Sequence, residues 1–191
     1  MAGIRTWADV CRILRAVDRA TPRGRRDLAL LLLMASYGMG AAEVLTLKLG
    51  DINWRVGTLR VTRPKTGVPI VLPLLPPVAR ALVAYLRHGR PPASSTPNVF
   101  LCTRAPCGPL TTSSALRHIL VKYARVGGVS APFLGAHVLR HSHATRQINE
   151  GAPAKVIADI LGHRRPESTS AYVRVALDRL REVALEVPPC P

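Results

Sequence analysis

The sequence predicts a mainly α-helical domain with one small antiparallel β-sheet, an α+β fold class. Three observations carry this. Apolar residues recur at helical period toward both ends of the chain. The stretch from Asp51 to Leu74 switches to β-branched residues, alternation and turn signals. Apolar residues make up 48% of the 191, a globular composition long enough for one good core.

The elements follow in order. Thr6 and Asp9 form a capping box ahead of a first helix, with Val10, Ile13, Leu14 and Val17 on one face. Thr21-Pro22 starts a second helix. Its run LALLLLMA, Leu28 to Ala35, is apolar nearly all round, so the helix is central. The run is too short to span a bilayer. YGMG, Tyr37 to Gly40, supplies two glycines for a tight turn, and AAEVLTL is a short helix. Thr58 to Thr62 should pair with Ile70 to Leu72 across turn signals at Lys65-Thr66-Gly67. A helix over VARALVAYLRHGR follows Pro76-Pro77, then a loop, PPASSTPN, then a short strand, VFLC. Helical period returns from Thr111 to Val126, with Leu116, Ile119, Leu120 and Tyr123 inward. GGVSAPFLG links this to a helix over HVLRHSHAT. APAKVIADILG, ended by Gly162, and a last helix from about Ser168 to Glu186 complete the chain. No repeat and no internal domain boundary is visible, so residues 1–191 form a single domain.

Lys and Arg outnumber Asp and Glu 27 to 11, a formal charge of +16. Such a balance favours a polyanionic partner, with nucleic acid the default and a ribosomal-type structural protein the bland alternative. The basic residues do not follow one long amphipathic helix, which argues against a membrane surface. The four cysteines, Cys11, Cys102, Cys107 and Cys190, show no zinc-finger spacing and are expected as reduced thiols in a cytoplasmic protein. No signal peptide is visible.

His137, His141 and His143 place half of the chain's six histidines in one short stretch. On a helix, His137, Arg140, His141 and Ala144 share a face, while His143 points elsewhere. His137 and His141 have the i, i+4 spacing of a metal pair. Val138 stands where the metalloprotease motif has Glu, and no carboxylate or thiol set accompanies them. No metal and no cofactor is therefore expected. Histidines satisfied by backbone groups remain the structural alternative.

Downstream, LGHRRPESTSAY places His163 after a helix-ending glycine and Tyr172 nine residues later. HVLRH, then LGH, then a tyrosine at this spacing resembles the signature of the tyrosine recombinases, the phage integrase family. YGMGAAEVLTLKLGDINW resembles the family's first box, and RPKTGVPIVLPL its lysine-bearing hairpin. The match is collinear from about Asp27 to Tyr172. Each motif alone is moderately specific; four in order are strong.

The resemblance implies a tyrosine-recombinase catalytic-domain fold and metal-free strand exchange on double-stranded DNA through a 3′-phosphotyrosine. Phosphoryl transfer of this kind relies on positioning and charge stabilisation. Tyr172 would be the nucleophile and Arg140 would grip the non-bridging oxygens, since forked guanidinium donors match phosphate. His137 and His163 would donate hydrogen bonds or move protons. Lys65 would protonate the departing 5′ oxygen, and Glu43 would steady the arginine pair. His141 and His143 would be structural. The bland counterparts are a solvated turn lysine at Lys65, a packed aromatic at Tyr172 and a surface carboxylate at Glu43. Recombination would need a tetramer of protomers on two duplexes, and the tail Asp178 to Val187 could exchange between neighbours or pack in cis.

Two departures stand out. The family's first arginine belongs at Gly-x-Arg-x-x-Glu, and this chain has Gly40 in the arginine position. Losing one neutral transition-state donor costs roughly 10² to 10³ in rate. The expectation is impaired chemistry, or alternatively a catalytically inactive DNA-binding relative, unless Arg60, Arg63 or Arg164 fills the gap. On that expectation, Gly40→Arg should raise cleavage sharply. Second, the family's N-terminal DNA-clamping domain is expected to be absent, because too few residues precede the first box. A monomeric relaxing enzyme of topoisomerase type would share the chemistry without needing a partner site.

Overall fold

The computed structural model describes residues 6–63, 67–92, 95–105, 107–130 and 135–153. Lys65, His163, Arg164 and Tyr172 lie outside the described residues, as do the last two helices and the C-terminal tail read from the sequence.

Helix α1, Trp7–Arg15, begins at the expected capping box: Asp9 N–H donates to Thr6 Oγ1 and Thr6 N–H to Asp9 Oδ2. Val10, Ile13, Leu14 and Val17 are all buried. Helix α2, Pro22–Tyr37, is capped by the Thr21 side chain, which accepts from Gly24 N–H. Every residue from Asp27 to Ala35 is buried, so α2 is the central helix, packed by the helices Pro76–His88 and Ala136–Asn149. Each large apolar side chain buried there contributes roughly 1.5–3 kcal/mol. The helix ends at Gly38, whose φ of 62° is left-handed and suits glycine. Of the two glycines expected to make this turn, only Gly38 does so. Gly40 has φ −76° and ψ 163°, open to any residue, and is the N-cap of α3, Ala41–Leu45.

A 3-10 turn, Leu49–Asp51, leads to a three-stranded antiparallel sheet of β1, Ile52–Asn53, β2, Thr58–Thr62, and β3, Pro69–Pro73, in that order. Leu59 pairs with Leu72 and Val61 with Ile70, within the expected pairing of Thr58 to Thr62 with Ile70 to Leu72, which extends to Pro69 and Pro73. The prolines at both ends of β3 are tolerated because it is an edge strand. Helix α4, Pro76–His88, buries Val78, Leu82 and Tyr85.

The strand expected over VFLC is instead a pair of isolated bridges, Lys48 with Asn98 and Leu101 with Pro109. The backbone groups of this stretch go to separate partners: Val99 N–H donates to the Leu47 carbonyl, Cys102 N–H to the Gly108 carbonyl, and the Phe100 carbonyl accepts from Leu110 N–H. Leu101 N–H donates to Tyr85 Oη, and its carbonyl accepts from Arg26 Nη1. Phe100 stacks on Tyr85 with ring centroids 5.6 Å apart.

Helix α5, Ser113–Val126, faces the core with the four residues expected. It meets α2 through a buried polar network. Arg26 donates to Asp27 Oδ1 from Nε (3.0 Å) and Nη2 (2.7 Å), while Tyr123 Oη donates to Asp27 Oδ2 at 3.1 Å. Helix α6, Ala136–Asn149, packs on α2 and α1, and the Arg146 guanidinium lies 4.4 Å from the Trp7 ring centre. Among the described residues no helix is long and apolar enough to cross a membrane. Cys11, Cys102 and Cys107 are free thiols.

Candidate functional site

Three elements distant in sequence bring one carboxylate and two guanidiniums together. Glu43, in the first turn of α3, accepts a 2.8 Å hydrogen bond from Gly40 N–H through Oε2. This satisfies one of the donors that a helix N-terminus leaves open. The same oxygen stands 3.6 Å from Arg140 Nη1 of α6, and Oε1 stands 3.8 Å from Arg63 Nη1 at the end of β2. All three side chains are largely shielded from water. Burial and the neighbouring Arg140 push the Arg63 guanidinium below its ordinary pKa, while Glu43 opposes the shift. Arg63 remains cationic at neutral pH.

Gly40 borders this cluster. A Cβ built there would lie 3.5 Å from Arg140 Nη1 and 3.8 Å from Glu43 Oε2, ordinary contact distances. The position where the first box carries arginine therefore opens onto the Glu43–Arg140 corner, and glycine is required there neither by backbone conformation nor by crowding.

Arg140 is placed by the anchoring of α6. His143 is buried, and its Nδ1 donates to the Ala35 carbonyl of α2 at 3.0 Å. Burial and the nearby Arg140 and Arg146 outweigh that hydrogen bond and push its pKa down to about 4. It is a neutral structural histidine, as expected. His137 and His141 are exposed on the opposite side of α6, so the three histidines do not converge. His137 lies one turn before Arg140, and His141 Nδ1 is 3.3 Å from Thr145 Oγ1.

Of the sequence-derived candidates, the structure brings Glu43, Gly40 and Arg140 into one cluster and puts His137 on the same helix as Arg140. Arg60 lies on the exposed face of β2 and Arg63 in the cluster. The period-two pattern carried that signal: Leu59, Val61 and Arg63 fall on the inner face. The hairpin containing Lys65 is closed by Arg63 N–H donating to the Val68 carbonyl and Gly67 N–H to the Arg63 carbonyl.

A sequence model described as the phage integrase family matches residues 6–179. The chain belongs to the phage integrase family. The Sinorhizobium fredii protein y4rF is 40% identical over 183 residues, covering 95% of this chain and 43% of its own. Tyrosine recombinase XerD of Ralstonia nicotianae is 32% identical over 176 residues, covering 91% of this chain and 56% of its own. The chain thus spans about half the length of these two relatives. Among solved structures, the XerH site-specific recombinase bound to palindromic difH substrate superposes with a TM-score of 0.72 at 21% identity, covering 96% of this chain and 52% of XerH. The fold is that of the tyrosine-recombinase catalytic domain.

Proposed function

We propose that this integrase-family chain is a single catalytic domain that cuts and rejoins double-stranded DNA at a specific site through a 3′-phosphotyrosine. The observation carrying this reading is the convergence of Arg140 and Glu43 from α6 and α3 beside the first-box position. The +16 charge and the DNA-bound XerH relative in fold support a DNA partner. Tyr172 Oη attacks the phosphorus as the bond to the 5′ oxygen breaks. One of His137 and His163 takes the phenol proton, and Lys65 gives a proton to the departing oxygen. Arg140 holds the non-bridging oxygens, and Glu43 holds Arg140. A free 5′-hydroxyl then reverses the step. Strand exchange between two duplexes uses four protomers, and the location is cytoplasmic.

Gly40 favours a second reading. The missing guanidinium impairs cleavage, and in the limit leaves a DNA-binding relative without activity. The test is a set of nicked suicide duplexes tiling the DNA on both sides of the chain's own gene. A covalent adduct on a denaturing gel, lost in Tyr172→Phe, is the expected result. Tight duplex binding without an adduct from any duplex would instead support the binding-protein reading.

A further inference from the structure

We propose that Arg63 supplies the second phosphate-holding guanidinium that the first box lacks at Gly40. The assignment rests on the strand-cleavage reading above. It begins with Glu43, whose two oxygens each face a different arginine, Arg140 at 3.6 Å and Arg63 at 3.8 Å. Two guanidiniums on one carboxylate set forked donors side by side, an arrangement that suits the two non-bridging oxygens of a phosphodiester. Position 40 opens onto the same corner, since its Cβ would touch both Arg140 Nη1 and Glu43 Oε2. The charge absent from the α3 N-cap is thus present a few ångströms away, delivered from the sheet.

The placement of Arg63 is not that of a solvated strand-end arginine. The residue is only 8% exposed, and burying it beside Arg140 works against its charge. Its backbone is held on both sides, by the Val68 carbonyl and by Gly67 N–H, so the guanidinium projects from a fixed point. Gly67 takes φ +68°, a conformation that favours glycine and lets the chain turn back to make that bond.

Two measurements on the full chain test this. In the first, arginine is labelled with nitrogen-15 and the Nε–Hε signals are followed during titration with sodium tungstate, a phosphate mimic. Arg63→Lys and Arg140→Lys assign the two signals. Both should move with one dissociation constant; movement of Arg140 alone overturns the assignment. In the second, adduct formation is compared on the nicked suicide duplexes. Arg63→Met, which keeps the buried stem, should lower the rate by roughly 10² to 10³. Adding Gly40→Arg to Arg63→Met should recover about tenfold or more, a rescue that a purely structural ion pair would not give. Arg63→Met within about threefold of the parent, or a sharp gain from Gly40→Arg alone, would overturn the proposal. If both arginine signals respond to tungstate and no duplex yields an adduct, the arginine pair stands and the strand-cleavage reading fails.

Discussion

His143 and Ala35 are joined by a 3.0 Å hydrogen bond from the imidazole Nδ1 to the main-chain carbonyl, tying α6 to the central helix one turn beyond Arg140. Burial, with the nearby charges of Arg140 and Arg146, keeps the ring neutral despite this bond, and the folded pKa lies near 4 against an ordinary value of 6.5. The unfolded chain therefore takes up a proton first as pH falls. The histidine's contribution is complete above about pH 6.5 and is lost progressively toward pH 4, on the order of 3 kcal/mol in total. His143→Asn retains a donor near the Nδ1 position and does not titrate. Urea melts of both proteins between pH 7.5 and pH 4 should show the parent's advantage shrinking as pH falls. Parallel curves would remove this account.

Asp27 is fully buried and holds Arg26 through two hydrogen bonds and Tyr123 through a third. Asp27→Ala strands a buried guanidinium and should cost about 3–5 kcal/mol. Chemical denaturation gives the value; a loss below about 1 kcal/mol would mean that water replaces the carboxylate.

Gly38 and Gly40 should respond oppositely to substitution. Gly38→Ala forces a side chain into the left-handed region and should cost about 1–2 kcal/mol. Gly40→Ala meets ordinary contacts at an unstrained φ and should stay within about 1 kcal/mol of the parent. Equal losses at the two sites would contradict the backbone geometry.

Glu43 has two separable roles. Glu43→Gln keeps an acceptor for Gly40 N–H but removes the charge between Arg63 and Arg140, at about 1–3 kcal/mol. Glu43→Ala also loses the helix-end acceptor and should cost about 0.5–1.5 kcal/mol more. Thermal melts of the three proteins should rank parent, Gln, Ala; a Gln variant as stable as the parent would show that the ion pairs contribute nothing.

Duplex DNA binding should weaken steeply with salt, since each neutralised phosphate releases counterions. Arg140→Ala should flatten the plot of log affinity against log salt by about one unit. Fluorescence anisotropy on a labelled duplex measures both slopes, and an unchanged slope would place Arg140 away from phosphate.

The amino-acid sequence by itself determined the described helices, the pairing of β2 with β3 and the collinear family motifs. Those features are local: the Thr6 capping box, Thr21-Pro22, the alternation through Leu59 and Val61, and the helical stripe of α5 act over a few residues. VFLC forms isolated bridges and not a strand because its backbone groups are divided among Leu47, Gly108, Leu110, Tyr85 and Arg26, several of them far away in the chain. The tertiary structure alone decided which charges meet. Glu43, Arg63 and Arg140 belong to separate elements, and only the packing of α6 on α2 and the end of β2 beside α3 brings them to one corner. From the sequence Arg63 was one of three arginines able to stand in for Gly40, because electrostatic partnership falls off over a few ångströms and spacing along the chain does not measure distance in the fold.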